Sequence, residues 1–170
     1  MIARTRRLSV SPLRPTDVEE LVDMVTLPEL HRMTGGAPAD RDEARGRVER
    51  WLAGSPKPGI TWINHVARLE ETGDLVGHCQ GTIVPRRGTI ATDCTLGYTV
   101  HPDHQGHGIA HEMMRAFVGL VVETDQPHQF LAHIAPGHTA SEHVVAALGL
   151  TATDHLDRAG ERIWASAERV

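Results

Sequence analysis

The chain has little of several things that mark other classes of protein. It holds two cysteines in 170 residues. Cys79 and Cys94 are too far apart for a metal or redox motif, so reduced, buried thiols are expected. Three Trp, two Phe and one Tyr leave little material for base-stacking platforms. No apolar run approaches the length of a membrane span. The basic start, Arg4-Thr5-Arg6-Arg7, runs into Leu8-Ser9-Val10-Ser11-Pro12 rather than an apolar signal core. An excess of positive charge is missing too: 17 Lys+Arg against 22 Asp+Glu give a net charge of -5. That argues against a nucleic-acid binder resting on phosphate neutralisation. These absences predict a cytoplasmic protein with neither a nucleic-acid nor a membrane partner.

What is present predicts one folded domain over residues 1–170. Hydrophobic residues make up 40% and charged residues 23%, ordinary for a packed core. Leu8 to Leu13 reads as a first strand. Thr16-Asp17-Val18-Glu19 has the capping-box pattern, with Thr16 as N-cap. Val18, Leu21, Val22 and Val25 then follow at helical spacing. Asp40 and Glu43 repeat the pattern before a helix carrying Ala44, Val48, Trp51 and Leu52 on one face. Ile60–Leu69, Leu75–Val84 and Thr89–Val100 are runs rich in Ile, Val, Thr and Trp. The turns Glu71–Asp74 and Pro85–Gly88 join them into an antiparallel meander.

Beyond Gly106 the period becomes helical, with Ala110, Met113, Met114, Phe117, Val118 and Val121 on one stripe. Phe130–Ala135 reads as a strand. Thr139–Leu148 reads as a helix closed by Gly149. Leu150–Asp157 and Arg162–Ala167 form a last hairpin around Ala159-Gly160. The order predicts an α/β (α+β) fold, a mixed and mostly antiparallel sheet of about seven strands with helices packed on it.

The most informative stretch runs from Leu96 to Ala110. A strand enters a glycine-containing loop, and the loop opens a long helix. Glycine lets a backbone approach a ligand closely. The first turn of a helix presents unpaired N–H groups at its positive dipole end. Together they suit a diphosphate, although Gly106 and Gly108 are also compatible with a plain tight connection. The stretch is neither a dinucleotide fingerprint nor a P-loop, because the third glycine of one and the Gly-Lys-Ser/Thr of the other are missing.

Val100-His101-Pro102 followed by Gln105-Gly106-His107-Gly108-Ile109-Ala110 resembles the Val-x-Pro…Gln/Arg-Gly-x-Gly-x-Gly/Ala signature of the GNAT superfamily of N-acetyltransferases. Ala135-Pro136-Gly137-His138-Thr139-Ala140-Ser141 and Ala147-Leu148-Gly149-Leu150 resemble that family's Pro-x-Asn-x-x-Ser…Leu-Gly-Phe ending. Leu13-Arg14-Pro15-Thr16-Asp17, Pro28-Glu29-Leu30 and Thr72-Gly73-Asp74-Leu75-Val76-Gly77 are similar to the branch that holds the ribosomal-protein N-terminal acetyltransferases. The resemblance spans nearly the whole chain.

It implies a GNAT-like sheet with helices on both faces and two strands splayed at the CoA site. It implies acetyl-CoA as cosubstrate and transfer of the acetyl group to a primary amine, a protein N-terminus or a small molecule, by direct attack in a ternary complex. The backbone of Tyr98 and Val100 would bond the pantetheine amides, and the Val100 N–H would also stabilise the oxyanion. Backbone N–H groups of Gln105, Gly106, His107, Gly108, Ile109 and Ala110 would hold the pyrophosphate. The Tyr98 side chain reads equally as a core aromatic whose hydroxyl finds a partner.

Three positions depart from the family pattern. His138 replaces the Asn that bonds pantetheine. Val145 stands where many relatives carry a Tyr that protonates the leaving thiolate. Thr95 replaces the branch's frequent Glu before Leu-Gly-Tyr. Ser141 matches the branch's serine, which would orient a water or the CoA sulfur, though it also reads as a first-turn serine bonding backbone. Some relatives place a carboxylate base five residues before the Asn; the equivalent position here is His133, and imidazole suits proton removal near neutral pH. His133 also reads as an ordinary strand histidine, and Asp93 is the next candidate base.

The remaining histidines weigh little towards a metal. His104, His107 and His111 are close in sequence, but His104 precedes the helix and no Cys or carboxylate set lies nearby, so no metal site is assigned. Arg86-Arg87 reads as a polar turn. Pro28–Pro38 and Asp157–Glu161 are expected to shape the acceptor pocket. Within them His31 and Arg32 suit either an anionic group or a helix end. The alternative function is a CoA- or anion-binding module on the same fold without amine acetylation. Oligomeric state is expected to be monomer or homodimer.

Overall fold

A computed structural model describes residues 1–32 and 35–168. Its strands are β1 (Ala3–Arg4), β2 (Leu8–Pro12), β3 (Thr61–Leu69), β4 (Leu75–Pro85), β5 (Thr92–Val100), β6 (Gln129–Ile134), β7 (Thr151–Leu156) and β8 (Arg162–Ala165). They form one sheet in the order β1-β2-β3-β4-β5-β6-β8-β7. Every neighbouring pair is antiparallel except β5 and β6. The mixed, mostly antiparallel fold is the one the sequence predicts, with eight strands rather than about seven. The additional strand is β1, whose Ala3 and Arg4 pair with Val10 and Ser9; two residues are too few to show an alternation.

Helices cover both faces. On one face, α1 (Val18–Val25) and α2 (Arg41–Ala53) bury Leu21, Val22, Ala44 and Val48 against Val66 and Leu75. On the other, α3 (Ile109–Thr124) and α4 (Thr139–Ala147) bury Met113, Phe117, Val144 and Val145 against Cys79, Leu96 and Ala132. Alternation along β4 and β5 sorts side chains between the two cores. At Gly77 the approach of α3 is so close that a Cβ would lie 2.6 Å from the Met113 sulfur and 3.2 Å from the Thr99 carbonyl. A larger residue there would push the Met113 side chain aside and crowd the β5 backbone.

Two helix starts separate local from tertiary control. Before α2, Asp40 accepts the Glu43 N–H at 2.8 Å, as the capping pattern predicts. The Glu43 carboxylate returns one residue earlier than expected, to the Ala39 N–H at 2.6 Å. Before α1 the expected Thr16 cap is absent. A single 3-10 turn, Pro15–Asp17, intervenes, and Asp17 accepts the Arg14 N–H at 2.8 Å. The other oxygen of Asp17 takes the Arg68 guanidinium from β3, also at 2.8 Å. Glu19 instead turns outward to Arg41 and Arg45 of α2. A carboxylate that satisfies backbone and guanidinium together outcompetes a hydroxyl that bonds backbone alone.

β5 begins at Thr92 rather than Thr89. The Arg86 N–H closes on the Ala91 carbonyl at 2.9 Å, which leaves Ile90 in a fully exposed turn. At its other end β5 separates from its neighbour. Parallel pairing with β6 runs from Asp93↔Gln129 to Leu96↔Ala132 and stops, while β5 continues to Val100 and β6 to Ile134.

Candidate active site

The parting of β5 from β6 leaves a strand edge open. The His101 N–H bonds the Val76 carbonyl of β4 at 2.8 Å. Backbone groups on a strand alternate sides, so those of Thr99 face β4 and those of Tyr98 and Val100 face the edge that β6 has left. The Val100 carbonyl takes the Gln105 side-chain amide at 2.9 Å. The N–H groups of Tyr98 and Val100 therefore point into the gap.

The loop after β5 aims a helix at the same gap. Gly106 and Gly108 both sit at φ +76, a left-handed conformation that an L side chain adopts only with strain. Gly108 is the N-cap of α3. The first bond of the ladder is from the Glu112 N–H to the Gly108 carbonyl, so the N–H groups of Ile109, Ala110 and His111 are left over by the helix. Gln105 is a correction: its N–H bonds the Pro102 carbonyl at 3.1 Å, so it holds the loop rather than offering a donor. The His107 carbonyl accepts the Arg7 guanidinium at 2.9 Å. The Ile109 side chain is buried in the core, so it anchors the turn whose backbone faces outward.

These parts line one cavity of about 570 Å³, within the usual size of a ligand pocket. Tyr98, Val100, Gln105, Gly106, Gly108 and Ala110 form one side, and His138 and Ser141 of the α4 start form another. The Ser141 hydroxyl lies 3.4 Å from His138 Nε2. The Tyr98 hydroxyl is buried without a hydrogen-bond partner among the described residues; Ser141 faces it but does not meet it in bonding geometry. Burial pushes the phenol above its ordinary range, and the Ser141 hydroxyl acts in the opposite sense. Thr99, on the opposite face of β5, carries a second buried hydroxyl with no partner among the described residues. An open strand edge, free helix N–H groups and orphaned hydroxyls suit a long polar ligand with a diphosphate.

The sequence comparison identifies the family of the chain. The acetyltransferase (GNAT) domain model matches residues 7–151. The chain belongs to the GNAT acetyltransferases. It is an acetyltransferase, and acetyl-CoA is the family's acyl donor. No curated protein sequence matches it. Among solved structures, the Bacillus anthracis GNAT-family acetyltransferase superposes with a TM-score of 0.76 at 17% identity, covering 98% of both chains. The Vibrio fischeri ribosomal-protein-S5-alanine acetyltransferase gives 0.77 at 13% identity, covering 99% of this chain and 97% of its own. Mycobacterium smegmatis RimJ, solved with CoA-disulfide, gives 0.74 at 18% identity, covering 96% and 85%. At these identities the likeness establishes the fold.

Some expected residues stand apart from the cavity of the acetyltransferase. The His107 side chain is exposed outside the lining. Val145 is buried in the core at 1% exposure and has no proton to give. Asp93 sits at the far end of β5, roughly 20 Å from Val100 at the usual strand rise, with Arg86 Nε 3.7 Å from its carboxylate. That position removes it as a base. His133 also lies outside the cavity lining, one residue past the last β5–β6 pair, and its Nδ1 is 2.8 Å from Asp157 Oδ2.

His31 caps α1, with Nε2 2.8 Å from the Val25 carbonyl, and Arg32 lies 3.8 Å from Glu29. Glu29 and Leu30 line the cavity, so the 28–38 stretch does reach the site; Met33 and Thr34 within it lie outside the described residues. His104, His111 and His143 also line the cavity. Sequence spacing hid His143, because only the packing of α4 beside α3 brings it there. Among the described residues the histidines of the loop form no metal-like group; His133, Asp157 and Glu161 bring ligand atoms within 4.8 Å of one another.

Proposed function

We propose that the protein moves the acetyl group of acetyl-CoA to a primary amine, on a small molecule or a peptide N-terminus, by direct attack in a ternary complex. The observation that carries this reading is the unpaired Tyr98–Val100 edge meeting the α3 N-terminus in one cavity. The pantetheine arm lies along that edge as a surrogate strand, bonded by backbone groups of Tyr98 and Val100. N–H groups from Gly106 to Ala110 hold the pyrophosphate, with Gln105 fixing the loop and His138 taking the pantetheine-bonding role.

The acceptor approaches past Glu29 and Leu30, where the Glu29 carboxylate attracts an ammonium ion. His133 takes the amine's proton, directly or through one water. The amine nitrogen attacks the thioester carbon, and the Val100 N–H stabilises the charge on its oxygen. The C–S bond breaks, and the second proton of the attacking nitrogen passes through a water oriented by Ser141 to the CoA thiolate, so that a neutral amide and the CoA thiol leave. The protein acts as a single domain, as a monomer or homodimer, in the cytoplasm.

A panel of amines and N-terminal peptides with acetyl-CoA, read by free thiol, tests this. Amine-dependent thiol release is expected. His133→Ala should lower kcat by roughly a hundredfold, the scale of a lost general base, with the KM for acetyl-CoA unchanged. His138→Ala should raise that KM first. Acetyl-CoA binding without release by any amine would leave a CoA-binding module instead.

A further inference from the structure

We infer that Asp157 is the positioning residue of a His133–Asp157 dyad, in which a hairpin carboxylate fixes the imidazole as the acceptor of the amine's proton. This rests on the acetyl-transfer reading and adds to it a second residue that no sequence motif marks.

The geometry begins with the sheet. Phe130, Ala132 and Ile134 of β6 are buried in the core under α3 and α4. By alternation Leu131 and His133 face the other side, the side of α1 and α2. Thr95, Gly97 and Thr99 of β5 share that side, because Cys94, Leu96 and Val100 face α3. The last β5–β6 pair is Leu96↔Ala132, so the next residues across the opening are Gly97 and His133. Gly97 has no side chain, and a Cβ there would meet nothing within 4 Å. His133 thus stands exposed beside an open space, where the gap between the strands begins.

A carboxylate accepts hydrogen bonds and donates none. The 2.8 Å contact between His133 Nδ1 and Asp157 Oδ2 therefore puts the ring proton on Nδ1. In the neutral ring Nε2 is then the free acceptor. Asp157 is itself fixed: its Oδ1 accepts the N–H groups of Ala159 at 2.8 Å and Glu161 at 2.9 Å. The same backbone turn that closes the β7–β8 hairpin thus aims Oδ2 at β6. The bond to His133, with the turn N–H groups, holds the Asp157 carboxyl below its ordinary range, so it is ionised at neutral pH. When Nε2 takes the amine's proton, the imidazolium that forms lies against a fixed negative charge. The proton leaves to water after the thioester C–S bond breaks. Glu161 completes a three-ligand group, yet Nδ1 and both Asp157 oxygens are already engaged, which favours the hydrogen-bonded pair over a cation.

Asp157→Asn tests the assignment. Its carbonyl oxygen can keep the turn, while its amide donates where the carboxylate accepted and pushes the ring proton to Nε2. We expect kcat for the amine found above to fall at least about tenfold, the KM for acetyl-CoA to stay constant, and Asp157→Glu to recover part of the loss. In His133→Ala, adding Asp157→Asn should change nothing further, because the pair acts as a unit. Histidine 15N spectra of the unliganded protein, assigned against His133→Gln, should show Nδ1–H at His133 and its loss in Asp157→Asn.

Wild-type kcat in Asp157→Asn, or an Nε2–H signal in the parent, would overturn the dyad. Activity abolished by EDTA and restored by zinc would assign the group to a cation and overturn it as well. The spectra need no acceptor, so the two readings fail separately: absent turnover with Nδ1–H intact removes the acetyl-transfer reading, and turnover without the Nδ1–H signal removes the dyad.

Discussion

Arg7 and His107 stand 100 positions apart, and the guanidinium of one donates to the carbonyl of the other at 2.9 Å. The same guanidinium donates through Nε to Glu112 of α3 at 2.6 Å, and Glu112 also takes the Thr5 hydroxyl at 2.6 Å. The start of the chain thus straps the loop that opens α3, the proposed diphosphate site. Arg7→Ala should raise the Kd for acetyl-CoA by about tenfold, the equivalent of one charge-assisted hydrogen bond, and alter kcat little. Isothermal calorimetry and steady-state rates check it.

Gly108 has φ +76, and a Cβ there would lie 3.6 Å from the Arg7 guanidinium. Acetyl-CoA should bind the parent with a Kd between about 1 μM and 1 mM, roughly -8 to -4 kcal/mol. Gly108→Gln adds a strained backbone and a side chain at the cavity wall, and should abolish binding. Normal affinity by calorimetry would show that this loop does not hold the cofactor.

The Tyr98 hydroxyl is buried and has no partner among the described residues, a cost of about 1–3 kcal/mol to the free protein. Tyr98→Phe should therefore raise Tm by a few degrees while weakening acetyl-CoA binding or slowing turnover several-fold, because the hydroxyl and Ser141 wait for a ligand. Differential scanning fluorimetry with and without acetyl-CoA separates the two effects.

Acid should weaken the fold through a pair of histidines that take no part in the chemistry. His78 stacks on Trp51 with ring centroids 4.4 Å apart and lies 3.1 Å from Asn64 Oδ1. Burial, and the nearby His65, lower it to about 3 from the usual 6.5. His65 is lowered to about 4, mainly by burial. The unfolded chain binds these protons first, so the stability is complete above pH 6.5 and is lost as pH falls towards the folded values. Between pH 6.5 and 5, His78 alone should cost about 2 kcal/mol. His78→Gln should flatten that slope, measured by urea unfolding at the two pH values.

Removing the space that Gly77 leaves for α3 should be felt at once. Gly77→Ala places a Cβ 2.6 Å from the Met113 sulfur, and overpacking of this kind costs about 1–3 kcal/mol. Thermal unfolding is the measurement.

The sequence by itself determined the parts whose cause is local. The strand-forming run Leu75–Val84, the stripe from Met113 to Val121 and the Asp40 cap all act within a few residues, so each element appears where its pattern lies. The shape of the loop from Val100 to Ala110 was legible for the same reason: its glycines and the helix start after it act within a few residues, while the Arg7 strap came from 100 positions away. Tertiary structure decided what depends on partners far along the chain. Asp17 displaced Thr16 as the start of α1 because Arg68 crosses from β3 to meet it. Asp93 was excluded because its strand carries it away from the opening. His133 gained Asp157 only when the last hairpin folded beside β6. Charge pairs of this kind have no period and no fixed spacing, so nothing short of the folded sheet brings their members into view.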